Sequence, residues 1–300
     1  MKTGFTPLLW GAAALILLLS AVVLGLNMVT VPLVMVPYAV LFAQLPGRYF
    51  SAAMLIVWAA AYLLIGPLGL LTGVFFAVPA IVMGWEIRKR SAAKRVITAG
   101  TLTLLAMLVL QLAVFTFVFD YSLVDEVGAI IRESVGQMVD QGALPENWNA
   151  DLTESFIRTL TQSVPLALMV TSFVYAAGAY WLTRRALKLH GVETPRFKRA
   201  KDWMLPKVLV LYYLVVLILD MMIPADAEGF LYVALLNLLP LLRFAFGIQT
   251  IGFFFFLADQ KRWNRAIPLL LAIPVLLFPP LSLIGVLDVA FPIRKSFVKP

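Results

Sequence analysis

Long apolar segments, separated by short polar connections, follow one another along almost the whole chain. We place them at residues 7–28, 29–45, 50–66, 69–85, 97–119, 161–187, 207–223, 229–257 and 266–291. Most of them approach the roughly 20 residues that an α-helix needs to cross a bilayer. The pattern predicts an all-α, polytopic transmembrane helical bundle of about eight crossings, with a C-terminal segment broken by proline. We expect residues 1–300 to form a single integral membrane domain.

Residues 120–160 depart from this pattern, because they contain two amphipathic runs. In the first run, Val124, Val127 and Ile131 follow the helical period of about 3.6 residues, with acidic side chains mainly on the other side. The second run contains Phe156 and leads into the next apolar segment. This pattern predicts an external amphipathic helical insertion. It is compatible with a hairpin packed on the bundle, a lid over an outward-facing pocket, or a helix lying on the lipid surface.

Composition supports a membrane protein and excludes several classes of function. The chain is 62% hydrophobic and 13% charged, whereas soluble domains are about 45–50% apolar and about 25% charged. Cysteine is absent, which excludes disulfides, thiolate catalysis and cysteine-ligated metals. His190 is the only histidine, so one chain cannot form a polyhistidine metal site. The net charge is +8, but the positive charges cluster in short loops beside apolar segments, which indicates membrane topology rather than nucleic-acid binding.

The distribution of lysine and arginine predicts the orientation of the chain in the cell membrane. Cytoplasmic loops are rich in these residues, and the basic loops lie near residues 46–49, 86–96, 184–206 and 258–265. The N-terminus is then cytoplasmic, with the first apolar segment after Lys2 acting as a signal anchor, and the acidic 120–160 segment is external.

The last apolar segment, residues 266–291, leaves two topologies open. Its 26 residues are too few for two full spans, and a Pro-Pro pair breaks it in the middle. A single crossing would place Arg294, Lys295 and Lys299 outside, against the positive-inside rule. A re-entrant pair of half-helices would keep the C-terminus in the cytoplasm, and we favour this arrangement.

A few polar side chains lie within the apolar segments and are the candidate ligand-binding residues. They are Asp220, Asn237, Arg243, Gln249 and Asp288. Ionised groups inside a bilayer are costly, so each indicates either a pairing partner or a function. The two amides can equally form hydrogen bonds between helices.

The three ionised candidates also have structural interpretations. Asp220 lies near the external end of its segment, where water can reach it. Arg243 follows Pro240 by three residues. Its partner is then an acidic side chain, a carbonyl group left free near the proline, or an anionic substrate. Asp288 lies six residues before Arg294, a spacing that predicts either a helix cap or a salt bridge that anchors the loop. A direct pair of Arg243 with Asp288 requires their two segments to pack together.

Catalytic motifs are absent from the sequence, which has no Walker phosphate loop, no HExxH and no GxSxG. We expect no enzyme activity, cofactor or metal site in this chain. Our first hypothesis is a transport-related protein that binds a small solute from outside without its own ATPase. The alternative is a non-transporting scaffold or regulator that recruits a membrane subunit or a cytoplasmic protein through its basic loops, mainly residues 184–207.

Three stretches, in order, resemble the YybS-like family of uncharacterised bacterial membrane proteins. They are TPRFKRAKDWMLPKVLV at 194–210, RFAFGIQTIGFFFFLADQK at 243–261 and LIGVLDVAFPIRK at 283–295. The order of segments, including the amphipathic insertion, is also similar. The resemblance implies a multi-pass membrane protein and carries no established activity.

The N-terminal half also resembles the substrate-capture subunits of energy-coupling-factor vitamin importers. The similar positions are Pro37, Gly47-Arg48 and Gly66-Pro67. That resemblance implies capture of a vitamin or metal near the outer face, with energy from a separate ATPase module. The chain departs from those subunits in having more spans and in lacking a clear Ala-x-x-x-Ala pair in its first span.

Overall fold

All the regular secondary structure in the described part of the chain is helical, which confirms the all-α prediction. The computed structural model describes residues 5–297, except residues 24, 119, 121, 146, 225, 226, 228, 265 and 292. Lys2 and Lys299, which the topology argument used, lie outside the described residues.

The α-helices are named in chain order. They are α1 (Phe5–Leu19), α2 (Asn27–Thr30), α3 (Met35–Gln44), α4 (Gly47–Ile65), α5 (Pro67–Arg88), α6 (Ala93–Val118), α7 (Leu123–Asp140), α8 (Ala150–Gln162), α9 (Val164–Leu189), α10 (Val208–Met222), α11 (Phe230–Gln260), α12 (Ala266–Leu277) and α13 (Ser282–Ala290).

Within the described ranges, 6 helical segments are long and apolar enough to cross a membrane. They are Asn27–Gln44, Gly47–Ile65, Pro67–Arg88, Ala93–Phe117, Val164–Leu189 and Phe230–Gln260. The apolar stretches around α1, α10, α12 and α13 are shorter. A multi-span helical membrane protein is therefore confirmed, whereas the total of about eight crossings stays a prediction.

The chain divides into two compact units. Unit 1 takes residues 1–123 and 168–197, and unit 2 takes residues 124–167 and 198–300. The expectation of a single membrane domain over residues 1–300 stays a prediction.

Unit 1 has a core of large side chains packed between closely spaced helices. Tyr38 and Tyr180 are completely buried. The indole of Trp58 donates a hydrogen bond to the Tyr38 hydroxyl at 3.0 Å, which satisfies this polar group inside an apolar core. Gly84 lets α5 approach Phe42 of α3, because a Cβ at Gly84 would lie 2.8 Å from the Phe42 ring.

Unit 2 has its core where α10, α11 and α13 meet. Tyr213 packs edge-to-face on the fully buried Phe246, with ring centroids 5.4 Å apart. Gly285 places the backbone of α13 directly against the Phe246 carbonyl, where a side chain would collide. The Thr250 hydroxyl donates toward the carbonyls of Phe246, at 3.0 Å, and Leu281, at 3.1 Å. These contacts bring the C-terminal helix onto α11.

The C-terminal apolar segment is broken in the middle, as its sequence predicts. The helix α12 ends at Leu277, a 3-10 turn covers Pro279–Leu281, and α13 follows. Prolines supply no backbone N–H for a continuous helix. The two helices have 12 and 9 residues, each well short of the roughly 20 needed for a full crossing. The side of the membrane on which the C-terminus lies stays a prediction.

The insertion at residues 120–160 forms the two helices α7 and α8. Their inward apolar positions include the buried Val135 and Ile157. Asn149 caps α8, and its side chain accepts a hydrogen bond from the Leu152 N–H at 2.9 Å. Both amphipathic helices are therefore present, and their external location stays a prediction.

Candidate functional site

A buried ion pair joins Asp288 on α13 to Arg294 in the 3-10 turn that follows. The Asp288 side chain is fully enclosed, and the Arg294 side chain is 16% exposed. Arg294 donates from Nε to Oδ1 at 2.9 Å and from Nη2 to Oδ2 at 2.7 Å, the two-pronged geometry that arginine offers a carboxylate. Asp288 lies in the last turn of its helix, where the helix dipole disfavours an anion. The guanidinium offsets this penalty, and the predicted salt bridge is present.

Gln249 of α11 extends this pair into a three-residue cluster, which we call the buried cluster (Gln249, Asp288 and Arg294). Its amide nitrogen donates to Asp288 Oδ2 at 2.6 Å, and its amide oxygen accepts the Leu205 N–H at 3.0 Å. Gln249 is 1% exposed. Two of the five candidate residues, Gln249 and Asp288, are thus brought together by direct contact.

The buried cluster binds the backbone of residues 198–207, which we call the anchored segment. Arg294 Nη1 donates to the Lys201 carbonyl at 2.6 Å, and Nη2 donates to the Trp203 carbonyl at 3.0 Å. The Lys201 ammonium also pairs with Asp259 on α11. The loop before α10 is therefore held through hydrogen bonds to its main-chain carbonyl groups, and not by apolar packing alone.

Small residues and ring contacts complete this arrangement. Gly252 lets α11 approach the Ala200 carbonyl, because a Cβ at Gly252 would lie 3.0 Å from that oxygen. The Arg294 guanidinium lies over the Phe256 ring, 5.1 Å from its centroid. At the surface of the anchored segment, Asp202 raises the pKa of Arg199 through a hydrogen bond at 2.9 Å.

Asn237 joins α11 to the junction between α8 and α9. Its amide nitrogen donates to the Gln162 carbonyl, at 2.8 Å, and to Val233, at 2.7 Å. Its amide oxygen accepts the Leu166 N–H at 2.8 Å. The last carbonyls of one helix and the first N–H groups of the next have no intrahelical partner. Asn237 supplies one partner to each, so its hydrogen-bonding capacity is already used inside unit 2.

Arg243 and Asp220 lie apart from these contacts. Arg243 is half-buried on α11, and no hydrogen bond or ion pair joins it to another described residue. The helices α11 and α13 do pack together, yet Asp288 pairs with Arg294 and not with Arg243. Asp220 is exposed near the end of α10. Ligand binding by the five candidates stays a prediction.

Comparison with known proteins identifies the family. A family model described as "Predicted membrane protein (DUF2232)" matches residues 11–289. The chain belongs to the DUF2232 family. The curated "Uncharacterized protein YybS" of Bacillus subtilis (strain 168) is 22% identical over 239 residues, which cover 76% of each chain. No solved structure matches. The YybS-like resemblance is thereby confirmed, and the resemblance to vitamin-importer subunits stays a prediction.

Two clefts of this DUF2232 protein have linings that include none of the five candidate residues. One, of about 240 Å³, lies between α7 and α8 of unit 2. Its lining includes Arg132 and Glu154, which form a bidentate pair at 2.6 and 2.9 Å. The hydrogen bond from Arg132 lowers the pKa of Glu154 below its ordinary value. A second cleft, of about 490 Å³, lies in unit 1 beside the connection between α5 and α6.

Sequence reasoning about this DUF2232 protein found Asp288 and Arg294 but missed what they hold. The partners are carbonyl oxygens of Lys201 and Trp203, about 90 residues away in the chain, and main-chain atoms carry no residue-type signal. One usable signal was the position of Asp288 in a last helical turn, where an acidic side chain needs compensation.

Proposed function

We propose that this membrane protein is a scaffold that recruits an acidic partner through the anchored segment, residues 198–207. The observation that carries the proposal is the buried cluster, which holds the main chain of this segment at Lys201, Trp203 and Leu205. Preorganised recognition elements lose less conformational entropy on binding, and so bind more tightly for the same contacts.

The charges of the anchored segment support an acidic partner. It contains four basic residues and one acidic residue. Lys201 is paired with Asp259, and Arg199 is paired with Asp202. Lys198 and Lys207 are exposed and form no ion pair with another described residue. Two presented lysines on an ordered backbone favour carboxylate groups of a partner. The positive-inside rule favours a cytoplasmic protein.

Site-specific photocrosslinking in living cells tests this proposal. A photoreactive amino acid replaces Met204, which is exposed within the same segment. We expect a discrete crosslinked product that is lost in the Lys198→Glu, Lys207→Glu double variant, because charge reversal repels an acidic surface. The matched control is Arg90→Glu in the loop after α5, which should keep the product.

The same experiment shows whether the partner needs the anchored backbone or only the exposed lysine side chains. In Arg294→Ala the lysines remain but their backbone loses its anchor, so the crosslink yield should fall. A product that survives charge reversal, or the absence of any product with normal protein levels, would overturn the scaffold proposal.

The cleft between α7 and α8 favours a second candidate, capture of a small charged solute. It is lined by two arginines, Arg132 and Arg158, and by the acidic Asp125 and Glu154. Such a mixed lining suits a zwitterionic solute, and the predicted external position of the insertion would expose the cleft to the outside.

Ligand-induced thermal stabilisation tests solute capture. A ligand at 100 times its dissociation constant stabilises a folded protein by about 2.7 kcal/mol. Purified protein would be screened against amino acids, vitamins and nucleosides. Stabilisation by one compound that is lost in Arg158→Gln would support capture, whereas no response across the panel would contradict it.

A further inference from the structure

A cleft in unit 1 combines a buried acid, two basic side chains and an apolar wall. Its volume is about 490 Å³. It is lined by Glu86, Ala92, Lys94, Arg95, Thr98, Ala99 and Leu102. These residues lie at the end of α5, in the following connection and on the first three turns of α6. Its lining shares no residue with the buried cluster or with the anchored segment.

Glu86, which lines this cleft, is buried and pairs with Arg95, but one of its carboxylate oxygens lacks a hydrogen-bond donor among the described residues. The residue is 4% exposed, and its Oε2 atom receives no hydrogen bond from a described residue. Arg95 Nε lies 3.0 Å from this oxygen, but outside hydrogen-bond geometry. The Arg95 side chain is 68% exposed, so it is free to swing away. A buried carboxylate oxygen without a donor is costly, which indicates a ligand that brings a cationic N–H group.

The rim of the cleft attracts negative charge. Lys94 and Arg95 are both exposed in the first turn of α6. Basic side chains at a helix N-terminus are disfavoured by the helix dipole, whereas an anion is favoured there. A phosphate at this rim would be stabilised by both side chains and by the dipole.

The wall of the cleft continues into the apolar part of α6. Arg95, Ala99 and Leu102 recur at helical spacing on one face, and Leu102 is 61% exposed. Residues Ala93–Phe117 form one of the candidate membrane spans, so this face continues into the part of α6 that would lie in the bilayer. Trp85 and Lys89 stack at the same end of α5, with 3.1 Å from the ammonium to the ring centroid. Tryptophan at a helix end marks the membrane interface.

We infer that this cleft binds a glycerophospholipid with a primary ammonium headgroup. The ammonium donates to Glu86, the phosphate binds Lys94 and Arg95, and an acyl chain lies along Ala99 and Leu102. A choline headgroup carries the positive charge but has no N–H to donate. A glycerol headgroup has donors but no positive charge. The buried acid beside two basic residues therefore favours the ethanolamine class over both.

Native mass spectrometry of the delipidated protein in detergent tests this site. The protein is titrated separately with phosphatidylethanolamine, phosphatidylcholine and phosphatidylglycerol of matched chains. We expect phosphatidylethanolamine to bind at least about tenfold more tightly than the other two, because only its headgroup combines a positive charge with an N–H that donates to the buried carboxylate.

Three variants assign the preference to the cleft. Glu86→Gln should bind phosphatidylethanolamine and phosphatidylcholine equally, and Lys94→Gln should weaken both. Leu102→Trp fills the apolar wall while leaving Glu86 in place, so it should reduce binding even if Glu86→Gln fails to fold. Lys89→Gln, on the neighbouring surface outside the cleft, is the matched control and should bind like the wild type.

The competing outcomes are distinct. Equal binding of the three lipids, or tighter binding of phosphatidylglycerol, would overturn the inference, since the second result indicates a plain anion site. Unchanged affinity for phosphatidylethanolamine in both Lys94→Gln and Leu102→Trp would also overturn it, because the lipid would then bind elsewhere.

Discussion

Arg294 and Asp288 form a two-pronged ion pair in which the carboxylate is completely enclosed and the guanidinium is 16% exposed. The same guanidinium donates to the carbonyls of Lys201 and Trp203. One side chain therefore neutralises a buried acid and holds a distant loop. Truncating either partner of such a pair leaves an uncompensated charge.

Arg294→Ala should destabilise the protein by about 3–5 kcal/mol, because Asp288 would remain buried without its cation. Chemical unfolding in detergent, followed by circular dichroism, measures this loss. The control is Arg199→Ala, which breaks an exposed pair with Asp202 and should change the stability far less, because water and salt screen such a pair. Equal effects of the two substitutions would contradict a special role for Arg294.

Gly285→Ala should destabilise unit 2 by about 1–3 kcal/mol, the usual cost of overpacking. The added methyl group would collide with the Phe246 carbonyl and approach the Thr250 hydroxyl, at 2.8 Å. Gly178→Ala in α9 is the matched control, because no atom lies within 4 Å of its added Cβ. Alanine there should be neutral or stabilising, since it is the better helix former. Thermal unfolding of both variants measures the two effects, and an equal melting temperature for both would contradict the close packing of Gly285.

Asn237→Leu should cost about 1–3 kcal/mol, because the Gln162 carbonyl and the Leu166 N–H would lose their partner. Limited proteolysis should then cut at the junction of α8 and α9. Gln111→Leu provides the control, since Gln111 is exposed on α6 and its replacement should be nearly neutral. An intact junction in Asn237→Leu would show that backbone geometry alone holds it.

The sequence was sufficient for features that depend on local pattern. Apolar length predicted the helical spans, a Pro-Pro pair predicted the break before α13, and the spacing of Asp288 and Arg294 predicted their salt bridge. Contacts that depend on tertiary packing could not be predicted from the sequence. Gln249 was one polar residue among several, and its role depends on the Leu205 N–H, 44 residues away. No side-chain pattern marks a main-chain partner.

Acidification should weaken the pairing of α7 with α8. Arg132 lowers the pKa of Glu154, so the ionised carboxylate stabilises the folded state. This contribution is complete above the ordinary pKa of a glutamate and is lost as pH falls through the lowered value. The melting temperatures of wild type and Glu154→Gln should differ slightly at pH 7 and converge in acid. The difference is small, since both side chains are more than half exposed. A gap that persists in acid would assign the effect to something other than ionisation.

Hydrogen–deuterium exchange of the anchored segment tests the central claim most directly. The Leu205 N–H donates to Gln249 inside the buried cluster, so peptides covering residues 200–206 should exchange slowly in the wild type. In Gln249→Leu and Arg294→Ala these peptides should exchange much faster, whereas Arg199→Ala should keep the wild-type rate. Unchanged protection in both cluster variants, with the protein still folded, would contradict the claim that the buried cluster holds the basic segment in place.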